Sequence, residues 1–440
     1  MIKQNLPKCF VATLGSALLF VGSAIAGDKC LIIDDKNPAK CCLENPTWCD
    51  IFDKSTLYKN EENCLIQKVQ LVGRYHGQYH SSSLEHSSGQ SLGANYWEHR
   101  RFRVGTKIQF LNDFTFFNNW NIGDNNDSGA RLTGGDFFGS VYEMYIGWKP
   151  SGTDNDLWVK VGKQKQKITR EWSTSSKQLL TFERSHITNE VAATIAWGAE
   201  AGFTAFNIDH AFGIWLGGYD MDGLDQRGEN FPGFDSRAGA SYRASYGLTD
   251  ATDIFFDYLY TNNSDGTQRP RGNDDADALS DYNHVLAFGT ESTWDLGHCG
   301  RQFGLVTDVI YGIDREASTG NNNFGGNNNR LAGDDTFGLV FLPHVDLTER
   351  LQLVGKYAYA SDSRLHRPQR AVATTNATAR PNLEDVHTLY IGLNYRICGD
   401  NLKLMAGYEY LTADLYQGAG AGDLGSLSGD TWMLGLRTYF

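Results

Sequence analysis

Long hydrophobic runs are almost missing from this 440-residue chain, and proline is scarce at 9 residues. The apolar run from Phe10 to Val21 is shorter than the ~20 residues a spanning helix needs, so no membrane helix is expected. GxSxG, HExxH and P-loop patterns are missing, and histidines such as His76, His80, His86 and His99 have no nucleophile at a catalytic spacing. These absences argue against an enzyme, and no cofactor is expected. Positive charge is also short. The formal net charge is −13, the wrong sign for a nucleic-acid partner. No CxxC pair occurs, and adjacent Cys41 and Cys42 make a poor start for a tetrahedral zinc site, so no metal is expected either.

What the chain does contain is aromatic and flexible: 24 Phe, 21 Tyr, 10 Trp and 48 Gly. That mixture suits twisted strands, aromatic girdles and tight turns. Residues 1–26 read as a secretory signal peptide, with Lys3 and Lys8 before the apolar run and Ala24-Ile25-Ala26 as a small-x-small cleavage site. Removing them makes the charge more negative still.

Period-2 alternation marks about 16 strands between residues 65 and 440, the first two near 65–80 and 97–111 with a long loop between them. The connections alternate in length. Residues 112–114, 150–156, 296–300, 344–349 and 398–401 are short, whereas 123–131, 264–281 and 318–335 lie in long polar loops. An even set of antiparallel strands with turns at one end and loops at the other is the pattern of a transmembrane outer-membrane β-barrel. In lipid such a sheet must close, because an open edge leaves backbone groups unpaired. The chain ends on "DTWMLGLRTYF". Trp432, Leu434 and Leu436 should face lipid, Arg437 the water inside, and Phe440 the membrane interface, with the last strand pairing with the first.

Fixing the lipid face by the large apolar residues assigns the other face to the lumen. Lys68, Arg74, Arg101, Arg103, Lys107, Lys160, Arg237, Arg243, Lys356, Arg396, Lys403 and Arg437 then point inward, as do Glu143, Glu200, Asp257, Glu291, Asp308 and Glu409. Basic groups outnumber acidic ones on this wall, although the chain as a whole is acidic. A positive wall favours anions, because low-dielectric walls focus the field into the aperture. Much of this charge would also serve simply to solvate the wall.

The connection after "LWVKVGKQ" is unlike the others. The strand end Gly162 to Lys167 is followed by Thr174-Ser175-Ser176 with Lys177, and then by Phe182-Glu183-Arg184-Ser185. With "FFGSVYEMYIGWKP" before it, this stretch resembles the phosphate-selective porin family of the O and P type over about 137–200. The resemblance implies a 16-stranded, homotrimeric porin of the bacterial outer membrane whose third loop folds into the pore, while the C-terminal aromatic Phe440 separately resembles the signal read by the barrel-assembly machinery. It further implies that residues 166–191 line the constriction, with Lys167, Arg170, Lys177 and Arg184 as anion contacts. An ion pair between Glu183 and Arg184 that pins the loop is the plainer alternative, and Trp172 and Phe182 read as anchors.

Seven cysteines follow the signal peptide: Cys30, Cys41, Cys42, Cys49, Cys64, Cys299 and Cys398. In an exported chain disulfides are the default. Five of the seven crowd into 27–64, which reads as a stapled periplasmic segment ahead of a barrel over 65–440. Cys299 and Cys398 fall in short turns about 19 Å apart at ~4.8 Å per strand, too far for a direct bridge and open to tethering that segment. The expected function is a water-filled diffusion channel for small hydrophilic solutes with a weak anion preference. The alternative is a surface adhesin or a ligand-binding barrel without an open channel.

Overall fold

The computed structural model describes residues 46–122, 138–152, 156–192, 195–216, 238–262, 280, 282–297, 300–315, 321–322, 326–327, 335–366, 369, 382–416 and 425–440. The signal peptide, Cys30, Cys41, Cys42, Cys299 and Arg237 lie outside these residues. Long strands follow one another in sequence: β1 Ile66–His86, β2 Ser91–Phe110, β3 Phe114–Ile122, β4 Phe138–Trp148 and β5 Trp158–Gln164. They continue with β6 Ala196–Ala205, β7 Ile208–Leu216, β8 Ala238–Thr249, β9 Thr252–Thr261 and β10 Tyr282–Asp295. The last are β11 Gln302–Arg315, β12 Thr336–Asp346, β13 Leu351–Arg364, β14 Asn382–Arg396, β15 Leu402–Leu415 and β16 Ser426–Tyr439. Each pairs antiparallel with its neighbour, and β16 returns to β1 in a register running from Leu427↔His86 to Tyr439↔Arg74. The result is a closed 16-stranded barrel.

The alternation read from the sequence sorts its faces. Trp432 and Leu434 are exposed on the outside while Arg437 is buried inside, and Ile146, Val161, Phe212, Ile214, Leu389 and Ile391 are among the outward apolar side chains. Phe440 completes the seam: its amide donates to the Gly73 carbonyl at 3.2 Å, and the Gly73 amide donates to the Phe440 carbonyl at 3.1 Å. A Cβ on Gly73 would meet the Phe440 ring at 2.4 Å. Gly73→Val is therefore expected to push that ring off the seam and destabilise closure by about 1–3 kcal/mol, the usual cost of overpacking. A lowered urea midpoint for refolding into vesicles would register it, and an unchanged midpoint would show that the ring does not seal the seam.

The first hairpin departs from expectation. Instead of a long loop over 81–96, the strands run on to His86 and restart at Ser91. "SSSLEHSSGQSLGAN" is polar on the outward side, so it carries no lipid-facing alternation. It is held instead by Leu84, Leu92 and Ala94, which join an apolar cluster inside the barrel. That cluster occupies the long-loop half of the inner wall, with Leu259, Val285, Ile310, Val340, Leu383 and Leu411 packed around Ile168, Ile187 and Val191 of the third loop.

Before β1 lie a 3-10 helix, Thr47–Ser55, and a short strand, Thr56–Lys59. The short strand pairs antiparallel with Lys68–Gln70 of β1, on the edge that β16 leaves uncovered below Phe440. A disulfide joins Cys49 to Cys398 in the β14–β15 turn. The pairing runs from the N-terminal segment to the barrel, so the tether holds.

Candidate functional site

The third loop enters the barrel at Gly162. Its φ of +139° and the 2.2 Å approach of a Cβ to the Met144 carbonyl admit only glycine there. From this point the chain crosses the lumen in two short helices, α1 Arg170–Ser173 and α2 His186–Val191. Thr169 caps α1 by accepting from the Trp172 amide at 3.0 Å, and Ser185 caps α2 from Thr188 at 3.2 Å.

Inward-facing side chains from around the wall hold it. The Asp308 carboxylate accepts from the amides of Arg170 (2.8 Å) and Glu171 (3.0 Å), and the Arg170 guanidinium pairs with Glu291. Arg243, paired with Asp257, donates to Ser173 Oγ at 2.8 Å. On the opposite side Arg437 donates to the carbonyls of Leu179 (3.1 Å), Thr181 (2.9 Å) and Phe182 (2.7 Å). Lys403 adds a bond to Leu179 at 3.2 Å, and Lys356 one to Glu183 at 2.9 Å. Glu190 of α2 takes Arg364 at 3.2 Å and His366 at 2.9 Å.

Glu183 is the centre of these anchors, but its partner is not Arg184. Arg100 reaches it at 2.6 and 3.0 Å, Arg101 at 3.6 Å and Gln78 at 3.0 Å. Burial alone would raise its pKa. The two guanidiniums win and hold it well below the ordinary carboxylate range. Arg184 instead donates to the carbonyls of Glu171 (3.0 Å) and Thr174 (2.8 Å), bracing the loop from within. Arg100 escaped the parity reading because the register shifts between His76 and Gly77, which face Arg101 and His99. That bulge brings two adjacent arginines to the same side. Phe182 is buried, with the Arg437 guanidinium 5.8 Å from its ring centroid, and Trp172 carries Lys165 at 4.4 Å and Arg184 at 4.9 Å.

The expected site residues thus divide. Arg101, Arg170, Arg184 and Arg243 are buried against the loop or its anchors, and Arg103 is buried over the Tyr142 ring, donating to Asn121 at 2.8 Å. Arg74 bonds Ser176 and stays half-buried. Lys68, Lys107, Lys160, Lys167 and Lys177 are also half-buried. Lys160 and Lys167 flank the Trp158 ring at 4.9 and 4.5 Å, Lys167 lies 3.7 Å from Glu200, and Lys177 donates to the Phe440 carbonyl at 3.2 Å. This half-buried set belongs to β1, β2, β5 and the loop.

Residues 69–280 match the family described as phosphate-selective porin O and P. The chain is a porin, and over these residues, just under half of its length, it is similar to that family. It resides in the bacterial outer membrane and forms a diffusion channel there. Solved porin-like barrels share the fold at low identity. The outer membrane channel DcaP of Acinetobacter baumannii is 9% identical, with a TM-score of 0.50 over 87% of this chain and 99% of that one. Salmonella typhi OmpF, in complex with daunomycin, is 13% identical with a TM-score of 0.50, covering 88% and 100%. Pseudomonas putida OprB at high pH is 11% identical with a TM-score of 0.50, covering 84% and 94%. No curated protein matches the porin's sequence.

Proposed function

We propose that the porin conducts small hydrophilic solutes, with a weak preference for anions, along the β1–β5 side of its lumen beside residues 166–191. The observation that carries this is the division of the wall cations. On the β13–β16 side Lys356, Lys403 and Arg437 are buried on loop carbonyls. On the β1–β5 side Lys68, Lys107, Lys160, Lys167, Lys177 and Arg74 keep partial exposure. Of the inward acids there, Glu200 is buried and Glu143 is half-buried, which leaves the solvated wall positive.

Charges within ~4 Å of a permeating ion act at an effective dielectric well below bulk. Acidic loops farther than about 8 Å are screened at physiological salt. The wall therefore outweighs the loops in setting selectivity. The same reading takes the porin as a homotrimer delivered by the barrel-assembly machinery through its C-terminal Phe440 strand. A loop-borne adhesin has no observation in its favour.

Reversal potential under a salt gradient tests the preference. Replacing Lys107, Lys160 and Lys177 together by glutamine is expected to bring selectivity towards neutrality, at unchanged or slightly altered conductance. Cation selectivity in the unaltered porin, or an anion preference that survives the triple change, would refute the assignment.

A further inference from the structure

The 3-10 helix Thr47–Ser55 has three faces, because side chains three residues apart eclipse in this geometry. Cys49, Phe52 and Ser55 form one; Cys49 and Ser55 are buried and Phe52 is half-buried, so this face lies on the barrel rim. Thr47, Asp50 and Asp53 form a polar, exposed second face. The third is Trp48, Ile51 and Lys54, with Trp48 53% and Ile51 62% exposed. An exposed Trp–Ile pair ending in a lysine, beside an acidic face, is unsuited to bulk water. It suits the boundary between headgroups and acyl chains, where Trp is favoured and Lys extends its ammonium outward.

The helix is also continuous with the lipid-facing band. It passes directly into Thr56–Lys59, which takes the row beside β1 below Phe440. Leu57, Tyr58, Ile66, Leu111 and Phe440 are exposed apolar side chains along the same rim. Cys49–Cys398 fixes the helix to the β14–β15 turn, and Ser55 Oγ accepts from Gln70 at 3.2 Å, so both ends of this strap are held to the barrel. We propose that residues 47–59 are an interfacial strap whose Trp48–Ile51 face lies in the phospholipid leaflet at the short-turn end of the barrel.

The test uses the full mature chain reconstituted in phosphatidylethanolamine–phosphatidylglycerol vesicles. A benzophenone amino acid replaces Trp48, Ile51, Asp50 or Asp53 in turn, and a heat-dependent mobility shift verifies that each barrel is folded. After irradiation, mass spectrometry is expected to find phospholipid adducts at positions 48 and 51, at several-fold the yield at 50 and 53. Equal yields at all four positions would overturn the proposal. So would an absence of lipid adducts, or a cross-link between two copies of the chain at 48 or 51.

Discussion

Glu183→Ala is expected to free the third loop. The substitution leaves Arg101, buried in the wall, and Arg100 beside it without the carboxylate they share. Removing one partner of a buried ion pair costs about 3–5 kcal/mol, because a desolvated charge is left behind. The barrel has sixteen paired strands to absorb that loss, but the loop is held locally and does not. Single-channel recordings should therefore show a larger, noisier conductance, and trypsin should cut at Arg184, which is buried in the intact porin. A trace indistinguishable from that of the unaltered channel would mean that Asp308, Glu190 and Arg437 hold the loop without Glu183.

Breaking the Cys49–Cys398 bond should have the next largest effect. The bond spans 349 residues, and in the chain-entropy view a closure of that length contributes about 6 kcal/mol. Cys398→Ser is expected to lower the temperature at which the barrel loses its compact electrophoretic mobility. Reduction of the unaltered porin should lower it equally. If neither does so, the short strand at Thr56–Lys59 holds the N-terminal segment by pairing alone.

Much of the barrel was legible in the sequence because lipid on one side and water on the other impose period 2 on every strand. The barrel has the sixteen strands that the alternation marked, and Arg437 and Phe440 take the sides assigned to them. The reading failed where lipid no longer sets the pattern, at Ser81–Asn95. It failed again at Arg100, where a register shift breaks parity. The adjacent Arg100 and Arg101 held a usable signal: strict alternation would turn one guanidinium to the hydrocarbon, at about 2–4 kcal/mol near mid-membrane, so the pair itself marks a bulge. The loop motif marked the right segment, but not which of its charges would be buried. That depends on Asp308, Lys356 and Arg364, more than 100 residues away from the loop groups they hold and brought close only by the closed sheet.

The main-chain carbonyls at Leu179, Thr181, Phe182 and Glu183 accept wall cations whatever side chains those positions carry. An anchor of this kind is indifferent to the identity of the anchored residue. Drift at Gln178 or Leu180, the half-buried positions beside these anchors, can reshape the exposed face of the loop while the scaffold stays where it is. Diversification of the aperture is therefore uncoupled from retention of the fold, and descendants of this porin can change the solutes they admit without first reinventing the device that positions the loop.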